Sequence, residues 1–249
     1  MKAIIIGAGR GQRLMPTTAD APKCFARVGD RRILDWTVDA FAENGMSDIV
    51  FVGGYRIEQV REAYPHFRFH ENADWAATNI LASLMCAEPE MDEAFICCYS
   101  DTLFTPAVIG RLLASDADIA VVVDTDWQAR YAHRSEHPPD DAEKVAVHDG
   151  RVTRIHRGID QADTHGEYIG VARFTVEGAA TLREHYHRCR QRYRGRPFRE
   201  AAVFEKAYLI LLFQEMIEHG VTIAHVDTPG EYMEIDTQQD YDLARRDWR

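Results

Sequence analysis

The chain has 249 residues, a formal net charge of -11 and a pI of about 5.4. With 46% hydrophobic and 28% charged residues it has enough apolar side chain for a buried core and does not have the composition of a disordered chain. The acidic balance speaks against a nucleic-acid-binding surface, which needs concentrated Lys and Arg. It leaves room for a nucleotide substrate, because a few local cations and a metal ion can neutralise a triphosphate.

The first predicted element is a strand over residues 2–7, apolar but too short for a signal-peptide core. A glycine-rich loop follows at once. Helix-period segments at 33–43, 57–64 and 79–87 then alternate with strand-like segments at 48–53, 67–71 and 94–99. Strands alternating with helices imply a parallel sheet covered on both faces, with ligands at the carboxyl ends of the strands. The second half begins with a buried-type strand at 118–123 and a polar stretch through Pro138-Pro139-Asp140-Asp141. Runs at 143–148 and 151–156 are joined by Asp149-Gly150, a strong hairpin signal. A strand at 168–174, helices at 176–190 and 201–219, a strand at 221–226 and a helix at 238–246 complete the reading. One domain over 1–249 is expected, with residues 125–170 as a hairpin-bearing insertion. The apolar run at 207–213 is far short of the ~20 residues that span a bilayer, and is assigned to the core or to a subunit contact in a homodimer. Five cysteines without C-x-x-C spacing (Cys24, Cys86, Cys97, Cys98, Cys189) read as reduced thiols of a cytoplasmic protein.

The chemistry-bearing segments are three. Gly7-Ala8-Gly9-Arg10-Gly11-Gln12-Arg13-Leu14-Met15-Pro16, closing at Pro22-Lys23, lets backbone N–H groups approach phosphates while Arg13 and Lys23 supply positive charge. A dinucleotide-binding loop is disfavoured, because Gln12 replaces the third glycine, two prolines block a prompt helix, and the second strand ends in Val52-Gly53-Gly54 without an acid. Ser100-Asp101-Thr102 places a carboxylate at the end of the strand over 94–99, where it can hold a hard cation. Met233-Glu234-Ile235-Asp236-Thr237 precedes the last helix, and Asp236 by itself reads first as a helix N-cap.

The first motif resembles the G-A-G-x-G-x-R-L-x-P-x-T…P-K signature of the sugar-nucleotide and cytidylyl-type nucleotidyltransferases, with Gly7-Ala8 where many relatives have Ala-Ala. The resemblance implies an α/β, three-layer, Rossmann-like (GT-A-like) fold with a mixed, mostly parallel central sheet. It further implies a loop of Gly7, Ala8, Gly9, Arg10 and Gly11 around the nucleotide, Arg13 and Lys23 on its phosphates, and magnesium on Asp101, Glu234 and Asp236. Asn79 and Ser83 resemble the base-contacting segment of choline-phosphate and phosphonate cytidylyltransferases, although Asn79 reads as well as a helix cap. Trp127, Tyr131, Lys144 and Glu167 are the expected acceptor contacts, within the insertion. Arg130 and Arg134 favour an anionic acceptor group, and Asp124 and Asp126 a cationic one. The reaction so implied joins CMP from CTP to a small phosphate or phosphonate and releases pyrophosphate, with no nucleic acid or membrane partner. A sugar-1-phosphate enzyme using UTP or dTTP, a glycosyltransferase reading Asp124-Thr125-Asp126 as its metal motif, and a non-catalytic nucleotide sensor remain as rivals.

Overall fold

The computed structural model describes residues 1–248. In chain order the elements are β1 (Lys2–Gly7), β2 (Arg27–Val28), β3 (Arg31–Arg32), α1 (Ile33–Ala42), β4 (Ile49–Gly53), α2 (Ile57–Ala63), β5 (Arg68–Glu71) and α3 (Ile80–Cys86). Next come β6 (Phe95–Tyr99), β7 (Thr102–Phe104), α4 (Pro106–Leu113), β8 (Ile119–Asp124), α5 (Trp127–Tyr131), β9 (Lys144–His148) and β10 (Arg151–Ile155). The chain ends with β11 (Gly166–Phe174), α6 (Val176–Tyr193), α7 (Leu209–Glu218), β12 (Ala224–Thr228), β13 (Tyr232–Glu234) and α8 (Gln238–Asp247).

A nine-stranded mixed sheet runs β10-β9-β11-β6-β1-β4-β5, with β8 paired to β11 and β12 paired to β8. Its centre, β6-β1-β4-β5, is parallel, as the alternation of strand and helix predicts. β11 is antiparallel to β6, β8 and β9 and joins the two halves. Every residue of β1 from Lys2 to Ile6 is buried, and successive residues serve opposite faces. Ile4 and Ile6 pack with Leu81, Leu84, Leu182 and Phe213 of α3, α6 and α7. Ala3 and Ile5 pack with Leu34, Phe41, Val60 and Ile109 of α1, α2 and α4. The result is the expected three-layer α/β arrangement.

The predicted hairpin forms as β9–β10, and Asp149 and Gly150 both take positive φ (49° and 72°), as its tight turn demands. The predicted helix over 201–219 is shortened to α7. Residues 204–206 form a 3₁₀ turn instead, and the carbonyls of Glu205 and Ala207 accept from the N–H groups of Asn79 and Leu81 at the start of α3. Those bonds satisfy donors that a helix start leaves open, so tertiary pairing overrides the local helix preference. Residues Leu209–Phe213 are buried core, which accounts for the apolar run without a subunit contact. The strand predicted at 221–226 pairs over 224–228, as β12. No helix among the described residues is long and apolar enough to cross a membrane.

Candidate active site

β1 and β6 are parallel neighbours, so the loop after Gly7 and the Ser100-Asp101 turn emerge side by side at their carboxyl ends. The loop has no freedom at its root. A Cβ on Gly7 would lie 2.6 Å from Ser100 Oγ and 2.7 Å from the Phe51 ring. The Gly for Ala exchange relative to the family signature is thus a packing requirement of this chain. Gly11 has φ 68°, a left-handed turn that brings the chain back over the Lys23 side chain. β13 pairs with β7 and carries the tail segment to the same place, where Ile235 N donates to Asp101 O at 3.0 Å.

Three segments distant in sequence thereby meet on one ammonium group. Lys23 Nζ donates to Asp101 Oδ2 at 2.6 Å and to Asp236 Oδ1, while Arg13 Nη2 donates to Asp236 Oδ2 at 2.5 Å. Burial opposes the charge on Lys23, yet Asp101 and Asp236 more than offset it and hold the amine above its ordinary value. Burial likewise opposes ionisation of Asp236, but Lys23 and Arg13 outweigh it and bring the carboxyl down to about 2. Beside it Glu234 is driven well above the usual carboxylate range by burial and by the charges of Asp236, Glu167 and Asp101. Asp236 is not the helix cap. That position belongs to Thr237, which with Asp240 forms a reciprocal capping box for α8 and leaves the Asp236 carboxylate to face Lys23.

These groups line a cavity of about 600 Å³. Its wall includes Gly7, Ala8, Gly9, Arg10, Gly11, Arg13, Lys23, Asn79, Ser83, Asp101, Glu167, Glu234 and Asp236, which are thirteen of the sixteen residues singled out in the sequence. Asn79 does cap α3, its side chain accepting from Ile80 N at 2.8 Å, and still borders the cavity. Ser83 is buried rather than solvent-facing; its Oγ accepts from Asn72 Nδ2 at 2.9 Å.

Three expected acceptor contacts stand behind the wall. Trp127 and Tyr131 are buried against each other and Ala142, ring centroids 5.7 Å apart, and Tyr131 Oη donates to Glu167 Oε1 at 2.7 Å. Lys144 is buried and its Nζ donates to Arg157 O at 2.5 Å. The two arginines expected to greet an anion also turn inward: Arg130 pairs with Glu167 and lies 2.9 Å from Asp124 Oδ2, and Arg134 donates to Asp240 Oδ1 at 2.6 Å. Asp124 is fully buried and accepts from Asp126 N and Gly230 N, so the D-x-D segment is a structural turn.

The wall instead includes Glu143, Arg157, Tyr168 and Tyr208, which sequence reasoning missed. Glu143 adjoins the Lys144 that was singled out, and one step along an extended chain reverses the side a residue faces. Arg157 stacks on Tyr208, 4.2 Å from guanidinium carbon to ring centroid, and lies 3.5 Å from Glu143. His137 is a further omission. It is buried, its Nδ1 lies 2.7 Å from Arg134 Nη2, and with Glu234 and Asp236 it offers ligand atoms all within 4.8 Å of one another. Two of these three donors are carboxylates, and one of them, Asp236, already brackets the Lys23 ammonium together with Asp101, which fits a hard divalent ion of the magnesium type.

Comparison with other proteins finds relatives along nearly the whole chain. The CTP:phosphoglutamine cytidylyltransferase of Campylobacter jejuni is 26% identical over 253 residues, spanning 98% of this chain and 98% of that enzyme. The choline-phosphate cytidylyltransferase of Streptococcus pneumoniae is 32% identical over 107 residues, 42% of this chain and 46% of its own. The inositol-1-phosphate CTP transferase from T. maritima has the same fold, with a TM-score of 0.74 at 23% identity over 99% of this chain and 96% of that one. The MobA-like NTP transferase domain matches residues 3–202, most of the chain, and the chain therefore belongs to this family of nucleotidyltransferases.

Proposed function

We propose that the protein is a magnesium-dependent cytidylyltransferase that transfers CMP from CTP to a small phosphate or phosphonate and releases pyrophosphate. The observation that carries this reading is the convergence of Asp101 and Asp236 on Lys23 beside the glycine loop. Relatives named as cytidylyltransferases of a phosphorylated or phosphonate compound support the choice of nucleotide and acceptor class.

The acceptor's phosphate oxygen attacks the α-phosphorus, a new P–O bond forms, and the bond to the β-phosphate oxygen breaks. A phosphate monoester has a second pKa of about 6 and is ionised at neutral pH, so no general base is needed. Catalysis is then positioning and charge neutralisation. Asp101 and Asp236, with Glu234 beside them, would hold magnesium, and the ion would supply positive charge to neutralise the nucleotide phosphates. Arg13 and Lys23 serve the nucleotide phosphates, the loop amides from Gly7 to Gly11 surround them, and Asn79 and Ser83 border the base. Glu143, Glu167 and Arg157 face the acceptor from residues 125–170, which form that side of the pocket.

The test is a pyrophosphate-release assay across the four NTPs and dTTP, with a panel of small phosphates and phosphonates, read by mass spectrometry. The expected product is a CMP conjugate formed from CTP. Preference for UTP or dTTP with a sugar 1-phosphate overturns the cytidylyl assignment. Consumption of a nucleotide-sugar without pyrophosphate overturns nucleotidyl transfer altogether.

A further inference from the structure

Two clusters among the described residues offer three metal-ligand atoms within 4.8 Å of one another, and only one of them belongs to the cavity. The other is His165, His225 and Asp227. His225 and Asp227 are two apart on β12 and so stand on one face of that strand. His165 immediately precedes β11, and its backbone N–H is fixed to Val145 O at 2.8 Å. His225 Nδ1 lies 2.7 Å from Asp227 Oδ1, and His165 Nε2 lies 3.0 Å from each Asp227 oxygen. The two rings are 4.8 Å apart. Asp227 is the sole side chain to which either ring is hydrogen-bonded among the described residues.

Two imidazoles aimed at one carboxylate are the ligand set of a borderline-soft transition ion, not of magnesium. Zinc takes His nitrogen at about 2.0–2.1 Å and carboxylate oxygen at about 2.0–2.2 Å, so tetrahedral ligand atoms sit roughly 3.3 Å apart. Separations of 2.7 and 3.0 Å reach that arrangement with a slight opening of the carboxylate. Side-chain exposures of 32% for His165, 17% for His225 and 40% for Asp227 give an ion access and leave a position for water.

We propose that His165, His225 and Asp227 form a binding site for a divalent transition-metal ion of the zinc type, separate from the catalytic cavity. Binding takes each imidazole in its neutral form, through the ring nitrogen that faces Asp227. The ion clips β12 to the entry of β11. Glu167 of the cavity wall lies two residues beyond His165, and β12 leads directly into the strand that carries Glu234. The clip therefore fastens two segments that supply the cavity without entering it, and binding to the folded chain raises its melting temperature.

The test is calorimetric titration of chelator-treated full-length chain with zinc chloride. The wild type is expected to bind one more zinc ion than the H165N/H225N protein and to gain more in Tm on zinc addition. The D236N protein is expected to keep that extra ion, which separates it from any zinc taken by the cavity. Turnover in magnesium should be the same in H165N/H225N as in the wild type. A zinc-edge anomalous difference map of the wild type provides a readout that needs no variant, with a peak expected between the three side chains. Equal zinc stoichiometry in the wild type and the double variant, or an anomalous peak at the cavity acids alone, overturns the proposal.

Discussion

Glu143 gives the sharpest energetic test of the cavity wall. It is 8% exposed, and its partners are distant: Tyr99 Oη stands 3.4 Å from one carboxylate oxygen and Arg157 Nη2 stands 3.5 Å from the other. Burial is the leading influence, and together with the Glu167 charge it outweighs Arg157 and lifts the carboxyl from 4.5 to about 7. An unfolded chain ionises this group near 4.5, so between that value and about 7 the folded protein holds a proton that the unfolded chain has lost. Stability from this group is therefore fully present below 4.5 and declines as pH rises to about 7. At about 1.36 kcal/mol per pH unit, the loss amounts to about 3 kcal/mol. Glu143→Gln keeps the shape and removes the titration. Urea unfolding from about pH 5 to about pH 8 should show E143Q level with the wild type at the acid end and more stable by about 3 kcal/mol at the basic end. A difference between the two proteins that does not change with pH would refute the reasoning.

Asp240→Ala should cost about 3–5 kcal/mol in chemical denaturation, because it leaves the buried Arg134 without its carboxylate and removes the α8 capping box; a loss below about 1 kcal/mol would place this pair with inconsequential surface bridges. Burial opposes ionisation of Asp240, but His137 and Arg134 hold it below its ordinary 3.8, so its contribution is present above 3.8 and fades on acidification, and D240A should flatten that acid limb. Gly7→Ala should destabilise by about 1–3 kcal/mol through contact with Phe51 and Ser100 and should weaken nucleotide binding, whereas unchanged melting and binding would contradict the packing argument. Lys144→Ala should lower stability and leave acceptor KM near the wild-type value, since its amine is spent on Arg157 O; a raised KM at unchanged Tm would return it to the acceptor site.

The parallel core and the three motifs were legible because they rest on local chemistry, whereas the meeting of those motifs was expected only from the family resemblance. Buried strands such as 2–7 and 94–99 are apolar runs, and glycines, an acid at a strand end and a late acidic segment are visible without coordinates. The cavity wall contributed by this stretch was not legible, because it depends on which way each side chain of 127–144 turns. Trp127 and Tyr131 had the right chemistry, and packing against Ala142 put them behind the wall. Glu143 and Arg157 reach the cavity from the hairpin flanks, a placement set by the register of β9 on β11. The Asp240 capping box was a missed local signal: Thr237-Gln238-Gln239-Asp240 has the spacing that assigns the cap to Thr237 and frees Asp236.

The most direct measurement of the central claim is CTP binding by calorimetry, with and without magnesium, in the wild type, D101N, D236N and the D101N/D236N double variant. If the two carboxylates serve one ion at one site, magnesium strengthens CTP binding in the wild type, each single variant loses that gain, and the double variant loses no more than either single. A full magnesium-dependent gain in both D101N and D236N would contradict the account.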